Sequence, residues 1–122
     1  MRTPLRPAVA SLFLLAFAAG PPAARVVEAA PPRVVEITAK RFEFTPKEVT
    51  LKKGETVTLR LHSEDVTHGF FSAKLKVDAD IVPGKTIDLS ITPAEAGTFN
   101  VICNHFCGAG HGNMKMKVVV EE

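Results

Sequence analysis

The sequence predicts an all-β fold, an antiparallel sandwich or barrel of about seven short strands. Three observations predict it. From residue 33 onward, polar and apolar residues alternate with period two in short runs. Pro and Gly punctuate those runs at roughly 8–12-residue spacing. And no stretch after residue 33 keeps a helical period over a useful length.

Taken in order, Val35, Ile37 and the residues up to Phe44 alternate as strands do, until Pro46 interrupts. Residues 48–52 (EVTLK) alternate, Lys53-Gly54-Glu55 is a turn, and residues 56–62 (TVTLRLH) alternate again. This pair reads as a hairpin. Residues 63–67 are a polar loop and residues 69–73 a short apolar strand. Residues 75–81 are irregular or weakly strand-like, ending at the turn Val82-Pro83-Gly84-Lys85. Residues 86–91 (TIDLSI) alternate cleanly, residues 93–97 turn, and residues 98–103 (TFNVIC) form a strand. Residues 114–120 (MKMKVVV) close the chain as the last strand.

A chain of 122 residues suits a single domain. Its aromatic inventory is eight Phe with no Trp and no Tyr. Phe carries no polar edge, so the pairs Phe42 with Phe44 and Phe70 with Phe71 read as core filling. Lys plus Arg number 15 against 13 acids, and setting aside residues 1–18 removes only Arg2 and Arg6, leaving 13 against 13. A near-neutral domain offers no footprint for nucleic acid.

The N-terminus reads as an address. Arg2 and Arg6 precede a small and apolar run over residues 8–19, and Ala16-Phe17-Ala18 has the small-x-small form of a cleavage site. Residues 1–18 are expected to be a secretory signal peptide. The competing reading is a retained anchor, but a span needs roughly 20 apolar residues, and Gly20-Pro21-Pro22 cuts this run short. Either way the protein is exported, to the periplasm or the outer face of the cytoplasmic membrane. Residues 19–32, with four Pro, are expected to be a flexible Pro/Ala linker, and residues 33–122 the domain.

Ligand-type residues concentrate between the last two strands: Cys103-Asn-His105-Phe-Cys107-Gly-Ala-Gly-His111-Gly-Asn-Met114. In an oxidising compartment, two Cys four apart could pair as a disulfide or could bind a metal. Thiolate and thioether are soft donors that suit copper, and imidazole suits copper and zinc. Gly108, Gly110 and Gly112 let the backbone wrap a small centre. A further ligand must come from elsewhere, and His68, at the end of the polar loop, is the candidate. His62 sits on strand alternation and reads as a surface or half-buried residue.

The string Cys-x3-Cys-Gly-x2-His-x2-Met from Cys103 to Met114 resembles the copper loop of the CuA cupredoxins. These are the extramembrane domain of cytochrome c oxidase subunit II and the C-terminal domain of nitrous oxide reductase. Glu64-Asp65-Val66-Thr67-His68 is similar to the segment that supplies the family's N-terminal His ligand. Val82-Pro83-Gly84 and Ala96-Gly97-Thr98-Phe99 resemble its approach to the loop. The resemblance implies a cupredoxin-like antiparallel Greek-key β-sandwich of about seven to eight strands. It implies that Cys103 and Cys107 bridge two copper ions, and that His68 and His111 each bind one. Met114 is then a weak axial ligand on one ion, and the backbone carbonyl of His105 the weak ligand on the other. The His105 side chain itself reads as a solvated loop residue, and Phe106 as a shield between the metals and water.

The function so implied is single-electron transfer in a respiratory chain, with no catalysis of its own. The partner would be a redox protein, either cytochrome c or a terminal oxidase, and membrane association would run through the N-terminus. The chain departs from the family pattern in carrying one short apolar run where oxidase subunits have two transmembrane helices. It also lacks the Trp that commonly receives electrons. Two other copper functions stay open. One is a mononuclear blue-copper carrier using His68, Cys107, His111 and Met114. The other is a periplasmic copper chaperone or store.

Overall fold

A computed structural model describes residues 4, 19–23 and 31–122. Of the expected signal peptide only residue 4 is described, and of the expected linker residues 19–23 and 31–32; the rest of both lies outside the described residues. The described chain forms β1 (Arg33–Lys40), β2 (Glu43–Thr45), β3 (Glu48–Lys52), β4 (Val57–Ser63) and β5 (His68–Ser72). These are followed by β6 (Val77–Ile81), β7 (Ile87–Ile91), β8 (Gly97–Ile102), a single 3-10 turn (His111–Asn113) and β9 (Lys115–Glu121). Among the described residues no helix is long and apolar enough to cross a membrane.

The strands arise where alternation places one face inward. In β3 only Val49 and Leu51 are buried, and in β4 Val57, Leu59 and Leu61 point in while their neighbours are half-exposed. In β9, Met116, Val118 and Val120 face the core. The inward faces of two sheets meet, one in the order β2-β1-β4-β7 and the other β3-β9-β8-β5-β6. Phe44 and Phe70, one from each sheet, pack edge to face with ring centroids 5.7 Å apart.

The all-β sandwich expected from the sequence is present, with differences in strand count and pairing. Nine strands form among the described residues, since the stretch around residue 79 is a full strand and the N-terminal alternation splits into β1 and β2. The sheets are mixed: β1 pairs with β4 in parallel, and so does β3 with β9. The expected hairpin over residues 48–62 does not form, because β3 and β4 belong to different sheets. The turn between them crosses the sandwich edge, where Lys53 N–H donates to the Glu121 carbonyl and Gly54 N–H to that of Pro93. Gly54 makes the crossing at φ 78°, in the region that favours glycine. Alternation specifies which face of a strand is buried and leaves its partner open.

Phe42 also departs from expectation. It is 39% exposed, whereas Phe44 and Phe70 are fully buried. Arg41 and Phe42 form the corner between β1 and β2, which lies at the same end of the sandwich as the β4–β5 loop and the 103–114 loop.

Candidate metal centre

The site is assembled from three places in the chain. His68 is the first residue of β5 and is completely buried. Cys103 leaves the end of β8, Cys107 lies at the far side of the same loop, and Met114 returns the chain to β9. All three are buried. Cys103 N–H donates to the Met114 carbonyl at 3.1 Å and closes the base of the loop. His111 opens the 3-10 turn and is half-buried. His105 is exposed, with its ring Nδ1 3.1 Å from the Phe106 carbonyl.

The donors converge. The Sγ atoms of Cys103 and Cys107 stand 3.7 Å apart as free thiols, well beyond the roughly 2.05 Å of a disulfide bond. Each of His68, Cys103 and Cys107 places a ligand atom within 4.8 Å of the others. The remaining donors divide between the two sulfurs. His111 Nδ1 and Met114 Sδ lie 3.7 and 3.8 Å from Cys107 Sγ. The His105 carbonyl oxygen lies 3.1 Å from Cys103 Sγ, which also accepts the Gly69 N–H at 3.3 Å. Gly69 has to be glycine, because a Cβ there would come 2.7 Å from the backbone nitrogens of Asn104 and His105.

The loop before His68 is built around Asp65. Asp65 N–H donates to Ser63 Oγ, Ser63 Oγ–H to the Val66 carbonyl, and Val66 N–H to Asp65 Oδ1. His68 Nε2 meets Asp65 Oδ1 at 2.7 Å. Burial of Asp65 opposes its ionisation, but the Arg41 N–H, the His68 ring and the Val66 N–H outweigh that and hold its carboxyl at about 2. An ionised carboxylate only accepts hydrogen bonds, so Nε2 donates to it, and Nδ1 is the ring nitrogen left for a ligand bond. Nδ1 is buried with no hydrogen-bond partner. A buried nitrogen left bare in this way costs stability unless something binds it, and a metal ion beside the two sulfurs would do so.

Burial pushes the Cys107 thiol up to about 11, with the neighbouring Cys103 sulfur and the Asp65 carboxylate adding to the shift and Arg41 opposing it. Two soft sulfurs, imidazole nitrogens, a thioether and a carbonyl form a donor set that fits copper. A cleft of about 350 Å³ lies beside it, lined by Arg41, Val66, Thr67, His105, Phe106, Cys107 and Gly108.

The structure thus brings His68, Cys103, Cys107, His111, Met114 and the His105 carbonyl to one end of the sandwich. His62 stays apart, half-buried on β4 with Nε2 3.2 Å from Thr38 Oγ1. Phe106 does not shield the sulfurs as expected. It is 75% exposed, its ring tilted against that of His111 with centroids 5.9 Å apart, because the loop turns it outward. Read from the sequence, Asp65 and Arg41 have no role of their own and Phe42 is placed in the core. An Asp three residues before a ligand His is a usable signal, since ligating imidazoles commonly donate their other N–H to a carboxylate. Arg41 had no local signal, for its partner carbonyl is 66 residues away.

Comparison with known proteins agrees with this geometry. A family model described as a cupredoxin-like domain matches residues 8–120. Cytochrome c oxidase subunit 2 of Thermus thermophilus is 31% identical over 102 residues, covering 83% of this chain and 76% of its own length. Nitrous-oxide reductase of Cupriavidus necator is 37% identical over 91 residues, covering 71% of this chain, which spans only 14% of the reductase. The periplasmic domain of subunit II of cytochrome oxidase from Bradyrhizobium japonicum superimposes with a TM-score of 0.68 at 19% identity, over 74% of this chain and 84% of that one.

Proposed function

The chain belongs to the cupredoxin-like domain family, and on that premise we propose that it is an exported carrier of single electrons built around a binuclear copper centre of the CuA type. The observation that carries the reading is the division of donors around two unpaired sulfurs 3.7 Å apart. A mononuclear site would need only one of them. When bound, copper supplies one-electron oxidation and reduction.

The chain's own residues do the rest. The Cys103 and Cys107 sulfurs, 3.7 Å apart, would both hold the copper as thiolates. His68 offers Nδ1, with Asp65 holding the ring by Nε2. His111 would offer Nδ1 from the loop, Met114 its thioether sulfur beside Cys107, and His105 its backbone oxygen beside Cys103. Strands β8 and β9 pin both ends of the loop, and a rigid frame limits geometric change as the charge changes. Buried Phe44, Phe70, Met114 and Met116 belong to the core that keeps water from the sulfurs.

Residues 1–18 act in this reading as the export signal and residues 19–32 as a tether, with residues 33–122 as the functional domain. The electron partners are redox proteins, a cytochrome c or a terminal oxidase. Support for this comes from the subunit 2 relatives.

Copper titration of the purified domain tests the reading. Two coppers per chain are expected. So are a purple colour and the hyperfine pattern of one unpaired electron shared equally by two copper nuclei. A blue protein with one copper would replace this reading with a mononuclear carrier. A colourless, diamagnetic adduct stable in air would replace it with a chaperone or store.

A further inference from the structure

Two adjacent residues at the β1–β2 corner touch both halves of the ligand set, and neither is a ligand. Arg41 donates its backbone N–H to Asp65 Oδ2 at 2.7 Å, and the other oxygen of that carboxylate holds His68. The same Arg41 donates its Nε–H to the Cys107 carbonyl at 2.9 Å. The Phe42 ring lies across the loop beyond Cys107. A Cβ at Gly108 would come 2.9 Å from that ring, and one at Gly110 would overlap it.

We propose that Arg41 and Phe42 form a clasp that sets the spacing between His68 and the 103–114 loop before any metal binds. Its purpose rests on the copper reading above, while its geometry does not. The bonds internal to the loop close its base and its 3-10 turn: Cys103 to Met114, His111 to Gly108, Asn113 to Gly110 and Met114 to His111. The segment around Cys107 is tied to another element by the Arg41 guanidinium and the Phe42 ring. The glycines that make room for the ring also have the most backbone freedom to lose. Gly108, at φ 139°, sits where other residues strain. Without the ring, those positions would sample many conformations, and each binding event would have to order them again. Phe42 therefore trades burial in the core for contact with the loop, which accounts for its 39% exposure.

Hydrogen exchange of the metal-free protein, combined with copper affinity by competition and the copper spectrum, tests the clasp. In Phe42→Ala, the amides of Gly108, Gly110 and His111 should exchange about tenfold faster or more, while those of β4 and β8 hold their rates. Copper should bind about 10–100-fold more weakly, the usual cost of losing a group that orients a ligand, and the absorption bands should shift. Phe42→Leu should recover most of both effects. Arg41→Ala should loosen the same loop amides, with Arg41→Lys giving partial rescue. Should Phe42→Ala fail to fold, Arg41→Ala carries the test, since its side chain is exposed. Loop exchange, affinity and spectrum all matching the wild type would overturn the clasp, and a normal binuclear centre in that case would leave the copper reading standing. Loop exchange that responds in a protein whose wild type binds no copper would keep the clasp and overturn the copper reading.

Discussion

His68 and His111 bring an imidazole to the two-sulfur site from opposite mechanical settings. His68 begins a strand, is fully buried, and has one ring nitrogen bound to an ionised carboxylate. His111 sits in a 3-10 turn with no side-chain cap, half in solvent, its ring against the exposed Phe106. One imidazole is held by the sheet and shut away from water. The other marks the edge where the centre comes nearest to the surface. In the proposed copper reading a carrier needs both, a frame that resists rearrangement and a short route outward, and each histidine would serve one of these needs.

The sharpest break in that comparison would be loss of Cys103, one of the two proposed bridges. Cys103→Ser should abolish the binuclear spectrum and lower copper content, read by metal analysis and electron paramagnetic resonance. Retention of the purple centre would mean that Cys103 does not bridge.

Next in size is the asymmetry of the two rings in the metal-free protein. His68→Ala removes a buried ring and its bond to Asp65, offset in part because the bare Nδ1 goes with it, and should cost about 1–3 kcal/mol in urea unfolding. His111→Ala should stay within about 0.5 kcal/mol, as half-exposed loop substitutions usually do. Equal costs would end the distinction between a frame ligand and an edge ligand.

Asp65→Asn removes the charge that orients His68 and one of the two Asp65 oxygens that accept hydrogen bonds. Copper affinity should fall about 10–100-fold, with the nuclear magnetic resonance signals of His111 little changed. A comparable disturbance at both histidines would show that Asp65 supports the whole loop and not one ring.

The smallest expected effect is Phe106→Ala. With the ring 75% exposed, stability should move by no more than about 0.5 kcal/mol and the copper spectrum should hold. Electron exchange with a partner, followed by stopped flow, should slow. An unchanged rate would place the outward route somewhere other than the His111 edge.

Much of this was legible in the residues. Val49, Leu51, Leu59 and Leu61 announce their buried faces by alternation, and all four are buried. The spacing from Cys103 to Met114 announces a soft-donor loop because five residues with ligand chemistry fall within twelve positions. The pairing of β3 with β9 was not legible, because a period of two looks the same whichever strand lies alongside. Phe42 and Phe44 read alike as core rings, yet a single corner turns one of them out onto the loop. Asp65 lay in plain view three residues from His68, but its hold on the ring depends on a backbone N–H from Arg41.

The sequence by itself determined the all-β class, the inward faces of the strands and the chemical identity of the donors. These depend on side-chain type and short-range spacing, which survive without knowledge of the rest of the chain. Only the tertiary structure decided that β3 and β4 part into different sheets, that Asp65 takes His68 Nε2 and leaves Nδ1 buried and bare, and that Arg41 and Phe42 reach the loop. Those outcomes depend on contacts between residues far apart in the chain, such as Arg41 with Cys107. Such contacts are set by how two sheets bury a shared core, and no local pattern encodes that choice.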